Sequence, residues 1–226
     1  MSLEQLSENL GVHLEPQLLE VALTHRSYSY EHPGTPNNER LEFLGDAVLG
    51  FVVTEHIFHK LSDLPENELT RIRAAVVSAK PLAQVAENLG LAKNLRLGKG
   101  VAKQSNGRAM ANLMADALEA IIGAALVSHG IDAARTIIEK HIYPLIDDPG
   151  NLLAHSDPKS SLFEAVRSRF SEEPSYAIES TGPAHDLWFD AKVSFAGKVW
   201  GSGKAATKKL AEAEAAADAL IALENA

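Results

Sequence analysis

Two segments with the pattern of buried helices carry carboxylates in the middle of their apolar runs. The first, Asn37-Asn38-Glu39-Arg40-Leu41-Glu42-Phe43-Leu44-Gly45-Asp46-Ala47-Val48-Leu49, continues through Gly50-Phe51-Val52-Val53 and is apolar almost all round. A helix of that kind belongs in a core. Glu39, Glu42 and Asp46 fall at i, i+3 and i+7, which sets all three on one face. The second, Leu113-Met114-Ala115-Asp116-Ala117-Leu118-Glu119-Ala120-Ile121-Ile122, places Asp116 and Glu119 at i, i+3, with no Lys or Arg three or four residues from either. An unpaired carboxylate in apolar surroundings costs roughly several kcal/mol, or takes up a proton. The ways out are a cation from elsewhere in the fold, a solvated groove, or a bound metal ion. The chain has no Cys and no clustered His, so the donor set favours a hard ion, Mg²⁺ or Mn²⁺, over zinc. If the two helices face each other, four carboxylates would hold one or two such ions for phosphoryl chemistry.

The rest of the chain sorts into two textures. From Leu3 to about Ile146 apolar residues recur at helical spacing, as in Leu18-Leu19-Ala22-Leu23 and Leu82-Val85-Ala86-Leu89, the latter closing at Gly90. No strand is expected before residue 150. The run Ile146-Asp147-Asp148-Pro149-Gly150 predicts a short linker reaching Asp157. Asp157-Pro158 then caps a helix to about Phe170. Tyr176–Ser180 and Leu187–Phe195 alternate like strands, Ala196-Gly197-Lys198 turns into Val199-Trp200-Gly201, and an Ala-rich helix runs from Ala205 to about Leu223. The expected fold class is an all-α domain over residues 1–150 and a small α+β (α-β-β-β-α) module over 157–226. Trp188, Phe189 and Trp200 are expected in the core of that module.

Composition narrows the function classes. With 46% apolar and 23% charged residues in 226, disorder and collagen-like repeats are excluded. Zero cysteines exclude a disulfide scaffold, thiolate metal sites and a cysteine nucleophile, and fit a reducing cytoplasm. The N-terminus carries Glu4 and Glu8 and lacks a signal-like apolar run. The longest nearly apolar stretch, Leu113–Val127, is shorter than the ~20 residues of a membrane span and holds two carboxylates. A soluble, cytoplasmic protein is expected.

The net charge of −9 argues, as an average, against a nucleic-acid partner. The average hides two basic stretches. Arg71 to Arg108 contains Arg71, Arg73, Lys80, Lys93, Arg96, Lys99, Lys103 and Arg108 against Glu87 alone. Its Gly-punctuated part, Leu97–Gly100 through Asn106–Arg108, reads as a loop region suited to following a phosphate backbone. The second stretch is Lys192, Lys198, Lys204, Lys208 and Lys209, with no acid between Asp190 and Glu212. Lys204 and Lys208 are expected at the start of the last helix, where free N–H groups favour anions.

Asn-Glu-Arg-Leu-Glu-Phe-Leu-Gly-Asp-Ala-Val-Leu, residues 38–49, closely resembles the signature of the ribonuclease III family. Thr24-His25-Arg26-Ser27-Tyr28 resembles its early His-x-Ser element, Glu66–Arg73 its second acidic motif and Ala115–Gly123 its third. The C-terminal pattern resembles a double-stranded RNA-binding domain, with Gly182-Pro183-Ala184-His185 like its groove-entering loop and Lys208-Lys209-Leu210-Ala211-Glu212 like its phosphate-binding helix start. The chain departs from these patterns at Asn67, Met110, Asn112 and Phe163, and Arg108 stands near the basic position that Met110 lacks.

The resemblance implies a double-strand-specific endoribonuclease using Mg²⁺, with Mn²⁺ as a possible substitute. It implies Glu42, Asp46, Asp116 and Glu119 as metal ligands, with Asp46 and Glu119 catalytic, and Glu39 and Glu66 as auxiliary acids. Glu164, His185, Lys204, Lys208, Lys209 and Arg108 are the implied RNA contacts. It further implies a homodimer joined at the signature helices, products with 5′-phosphate and 3′-hydroxyl ends, and a role in processing rRNA precursors and other transcripts. Two other classes fit parts of the chain: a non-catalytic binder of duplex RNA, and a metal-dependent hydrolase of small phosphorylated compounds. The first leaves four carboxylates idle, and the second leaves the C-terminal basic module unexplained. His56 and His59 share a helix face but lack the further ligands of a zinc site.

Overall fold

Apolar stripes at helical spacing assemble the N-terminal part of the chain into α1 (Leu3–Leu10), α2 (Pro16–Ala22), α3 (Arg26–Glu31), α4 (Glu39–Lys60), α5 (Glu66–Val76), α6 (Ala79–Asn88), α7 (Lys99–Gln104), α8 (Gly107–His129) and α9 (Ile131–His141). Short 3₁₀ turns follow at Leu91–Lys93 and Tyr143–Ile146. The computed structural model describes residues 2–183 and 187–225. It divides into two compact units, Met1–Asp147 and Asp148–Ala226.

In the first unit α8 is the central helix, packed by α2, α4, α6 and α9. It is long and apolar enough by length and composition to cross a bilayer. Its apolar residues, from Met114 to Ala125, are instead buried in the protein core. No strand forms among the described residues of this unit; Thr24 and Arg96 make one isolated parallel bridge.

Helix α4 departs from the expectation of burial all round. Gly45, Val48, Leu49, Val52, Val53 and Ile57 are buried. On the other side Phe43, Phe51 and Phe58 are 79%, 59% and 63% exposed. A single chain covers only one of the two apolar faces.

The expected linker is largely helical. Helix α10 (Pro149–Ser156) begins at Pro149, a position that tolerates proline because its missing N–H would have no helical partner there. The Asp157 amide then bonds Leu153 O at 2.8 Å. Asp157 also caps α11 (Pro158–Phe170), its side chain accepting from the Ser160 amide.

Three antiparallel strands follow in the order β1 (Ser175–Thr181), β2 (Trp188–Phe195) and β3 (Lys198–Ala205). Ala196 and Gly197 join β2 to β3 with φ of 49° and 74°, the left-handed pair that a tight two-residue hairpin requires. Helix α12 (Lys208–Glu224) starts three residues later than expected. Ala205 closes β3, and Thr207 caps the helix by accepting from the Leu210 amide at 3.3 Å. Lys204 is therefore a strand residue rather than a helix-start residue.

Leu162, Val166, Ala191, Val193, Phe195, Ala211, Ala215 and Ala219 form the core of this unit. Trp200 stacks on Phe195 at 4.9 Å and Phe189 packs against the same core. Trp188, expected inside, is exposed at the start of β2. The alanine face of α12 lies directly on β3, where a Cβ at Gly201 would come 2.3 Å from Ala215 O.

Candidate active site

The two acidic helices meet backbone to backbone. A Cβ on Gly45 would lie 1.8 Å from Glu119 O, and one on Gly123 would lie 2.1 Å from Leu41 O. Only glycine on both sides permits that approach, and it brings Glu42 of α4 and Asp116 and Glu119 of α8 into one place. One carboxylate oxygen each from Glu42, Asp116 and Glu119 lies within 4.8 Å of the others. None of the three has a hydrogen-bonding or ion-pair partner among the described residues. Asp46, at the next position after Gly45, stays exposed and outside this close group, but its charge acts on both Glu42 and Glu119.

The electrostatics follow from that crowding. Burial, then the charges of Asp46, Asp116 and Glu42, push Glu119 up to about 8. Glu42 is raised by burial and next by Asp116 and Glu39. Asp116 is raised by burial, with His25 and Arg26 acting in the opposite sense. At neutral pH such a group holds protons or a cation, because like charges at this separation disfavour full ionisation. Three or four carboxylate oxygens, without sulfur or imidazole in the group, match the ligand chemistry of a hard divalent ion. The residues present therefore fit the metal that the spacing suggested.

Other predicted residues take different places. Glu39 pairs with Arg26 at 3.2 Å and accepts from Asn37 at 3.3 Å. Glu66 starts α5 and accepts from Thr70 Oγ1 at 2.9 Å, apart from the three-carboxylate group. Arg108 is exposed in the first turn of α8. The basic region ahead of it is helix α7 followed by the start of α8, not a loop. In the second unit Lys208 and Lys209 are exposed at the start of α12, and Glu164 is exposed on α11. Lys204 is turned to Asp190 at 3.3 Å. His185 lies outside the described residues.

Sequence reasoning did not place His25 and Arg26 at the acidic group. Burial, then Arg26, lowers the basicity of His25, while the Asp116 carboxylate opposes that effect. The His-x-Ser spacing marked the segment, but nothing local connects residue 25 with residue 116. The His56 ring stacks on Tyr143 at 3.5 Å.

Residues 15–146 match the family model described as Ribonuclease-III-like, and residues 158–223 match the double-stranded RNA binding motif. A ribonuclease 3 from Leifsonia xyli subsp. xyli is 47% identical over 220 residues, covering 97% of this chain and 92% of the relative. One from Mycobacterium tuberculosis strain H37Rv is 45% identical over 226 residues, covering 99% and 94%. The nuclease domain of ribonuclease III from Campylobacter jejuni superposes with a TM-score of 0.58 at 37% identity, over 65% of this chain and 97% of that one. A second structure of that domain, with flexibility in a region involved in dimer formation, gives 0.55 at 35% identity, over 70% and 99%. With a helical unit that gathers carboxylates and a C-terminal unit built as an RNA-binding fold, the chain belongs to the ribonuclease III family and is an endoribonuclease of double-stranded RNA.

Proposed function

We propose that this endoribonuclease depends on a divalent ion, Mg²⁺ or in its place Mn²⁺, held by Glu42, Asp46, Asp116 and Glu119. The observation that carries this reading is the set of three carboxylates within 4.8 Å, none of them in an ion pair among the described residues. A bound divalent ion there supplies a Lewis acid that makes water a better nucleophile and offsets charge on the phosphate. Hydrolysis adds the water oxygen to phosphorus, breaks the P–O3′ bond and returns a proton to O3′, so the ends are 5′-phosphate and 3′-hydroxyl. Lys99, Lys103 and Arg108 hold the duplex backbone beside the carboxylates, and Lys208 and Lys209 hold it from the RNA-binding unit. The substrates are structured transcripts such as rRNA precursors, met in the cytoplasm.

The exposed stripe of Phe43, Phe51 and Phe58 on α4 favours a second copy of this chain as its cover. Aromatic side chains left in water at that density are the mark of an interface. The active form is then a homodimer with one carboxylate site per subunit.

The test is incubation of a long duplex RNA with the wild-type chain and with Glu119→Ala, each with and without Mg²⁺. Cleavage to 5′-phosphate ends is expected only with the ion, and Glu119→Ala should lose at least about 100-fold of it. Cutting by the variant at the wild-type rate, or no cutting with Mg²⁺, would reject the assignment.

A further inference from the structure

Helix α7 carries Lys99 and Lys103, yet it buries none of its side chains. Six residues are too few for a helix to hold itself in water. Its place is set instead by polar bonds to residues 23–31. The Arg96 amide donates to Leu23 O at 2.8 Å, and the His25 amide donates to Arg96 O at 3.0 Å. The Gly98 amide donates to Ser27 Oγ at 2.9 Å. The Lys99 amide donates to Glu31 Oε1 at 2.8 Å. That bond sets a carboxylate from α3 on the first turn of α7, where amides lack helical partners. Gly98 admits the approach, since a Cβ there would lie 2.7 Å from both Ser27 O and Glu31 Oε1.

Ser27 also reaches the other way. Its amide donates to His25 Nδ1 at 3.2 Å, so that nitrogen is an acceptor and the neutral ring carries its proton on Nε2. The Ser27 hydroxyl, accepting from Gly98, then donates to the same Nδ1 at 2.8 Å. A continuous chain of donors runs from the Gly98 amide through Ser27 to His25. His25 is the ring on which the Asp116 carboxylate acts.

We propose that Ser27, Glu31 and Gly98 form a clasp whose role is to hold the basic segment Lys99–Arg108 in register with the carboxylate group while duplex RNA is bound. They are positioning residues, acting through the lysines. The proposal rests on the reading, given above, that this segment grips the phosphate backbone.

The experiment measures the whole 226-residue chain in two ways. Binding to a duplex RNA is titrated without divalent ions over a range of salt, and cleavage with Mg²⁺ yields KM and kcat. The double variant Lys99→Ala/Lys103→Ala should weaken binding and make the salt slope shallower by about one unit per lost phosphate contact. Glu31→Ala should raise KM roughly five- to tenfold with kcat within about twofold, and should flatten the salt slope as the lysine variant does. Glu31→Gln, which keeps an acceptor oxygen for the Lys99 amide, should restore most of the loss. On the lysine background Glu31→Ala should add less than about twofold, because its partners are already gone.

Wild-type KM and slope in Glu31→Ala, beside a weakened lysine variant, would overturn the clasp and leave the basic segment standing. Full multiplication of the two effects would also overturn it, because Glu31 would then act elsewhere. A lysine variant that binds like wild type would remove the segment from the grip and the clasp with it, while cleavage that still needs Mg²⁺ and Glu119 would leave the catalytic reading intact.

Discussion

In the RNA-binding unit the carboxylates of Asp218 and Glu214 accept from the outward amides of Ser202 and Lys204, at 2.9 and 3.1 Å. Those amides belong to β3, an edge strand, which is thereby closed to pairing with another chain. Glu212 pairs with Lys159 at 2.6 Å, and Glu172 accepts from the Ala196 amide at 2.8 Å. In the nuclease unit Glu42, Asp116 and Glu119 face one another with no such donor among the described residues. Both arrangements arise from glycines opposite a helix backbone, Gly201 and Gly203 under α12, and Gly45 against Gly123. Under α12 the close approach carries acids to free amides. Between α4 and α8 it carries like charges to one another. The difference separates acids that maintain a fold from acids that crowd one another in a group able to take a cation.

The sharpest way to break this comparison is to block the helix contact. Gly45→Ala should cost about 3 kcal/mol or more in chemical denaturation, because the new Cβ meets α8 backbone that has no room to move. Gly50→Ala, on the same helix with nothing within 4 Å, should be neutral or stabilising by up to ~1 kcal/mol. Equal effects of the two would mean that the close contact is not what sets the site.

Removing charge should have opposite signs in the two units. Glu119 takes up its proton at about 8 in the folded chain, above its ordinary 4.5. The folded form therefore binds more protons between those values, and metal-free stability falls as pH rises through that window. Glu119→Gln should accordingly stabilise the metal-free protein at pH 8 by roughly 1–2 kcal/mol, discounted for partial solvation, with the gain fading toward about pH 5. Glu212→Gln should instead cost about 0.5–1 kcal/mol by leaving Lys159 without its carboxylate. Thermal melts of both variants at the two pH values decide it; destabilisation by Glu119→Gln at pH 8 would contradict the crowding.

A third contrast lies within the RNA-binding unit, between its lysines. Lys208→Ala with Lys209→Ala should weaken duplex binding about tenfold and reduce the salt slope. Lys204→Ala should change it less than about threefold, because Asp190 already engages that side chain on β3. A larger loss from Lys204 than from the pair would reverse this ranking.

Much of this was legible in the chain. The spacing of Glu42 with Asp46, and of Asp116 with Glu119, states which carboxylates share a helix face. The Asp157-Pro158 start and the Ala196-Gly197 turn were equally readable, because caps and turns depend on a few adjacent residues. The helix at Pro149 is not legible locally because Asp-Pro-Gly reads as a break, although proline is at home in a first turn. The start of α12 is ambiguous in the sequence because Ala205 suits both a strand under a helix and the helix itself. The exposed face of α4 was hidden because apolar residues look alike whether their cover is the chain's own core or another surface.

Local sequence by itself determined the long apolar helices, the hairpin and the faces on which the acids lie, since spacing and backbone sterics act within a turn or two. Only the tertiary structure decided that Gly45 would meet Gly123, that three carboxylates would share one small volume, and that Glu31 would hold an amide 68 residues away. Those outcomes depend on charges and backbones that approach through space, and no period along the chain encodes the distance between them.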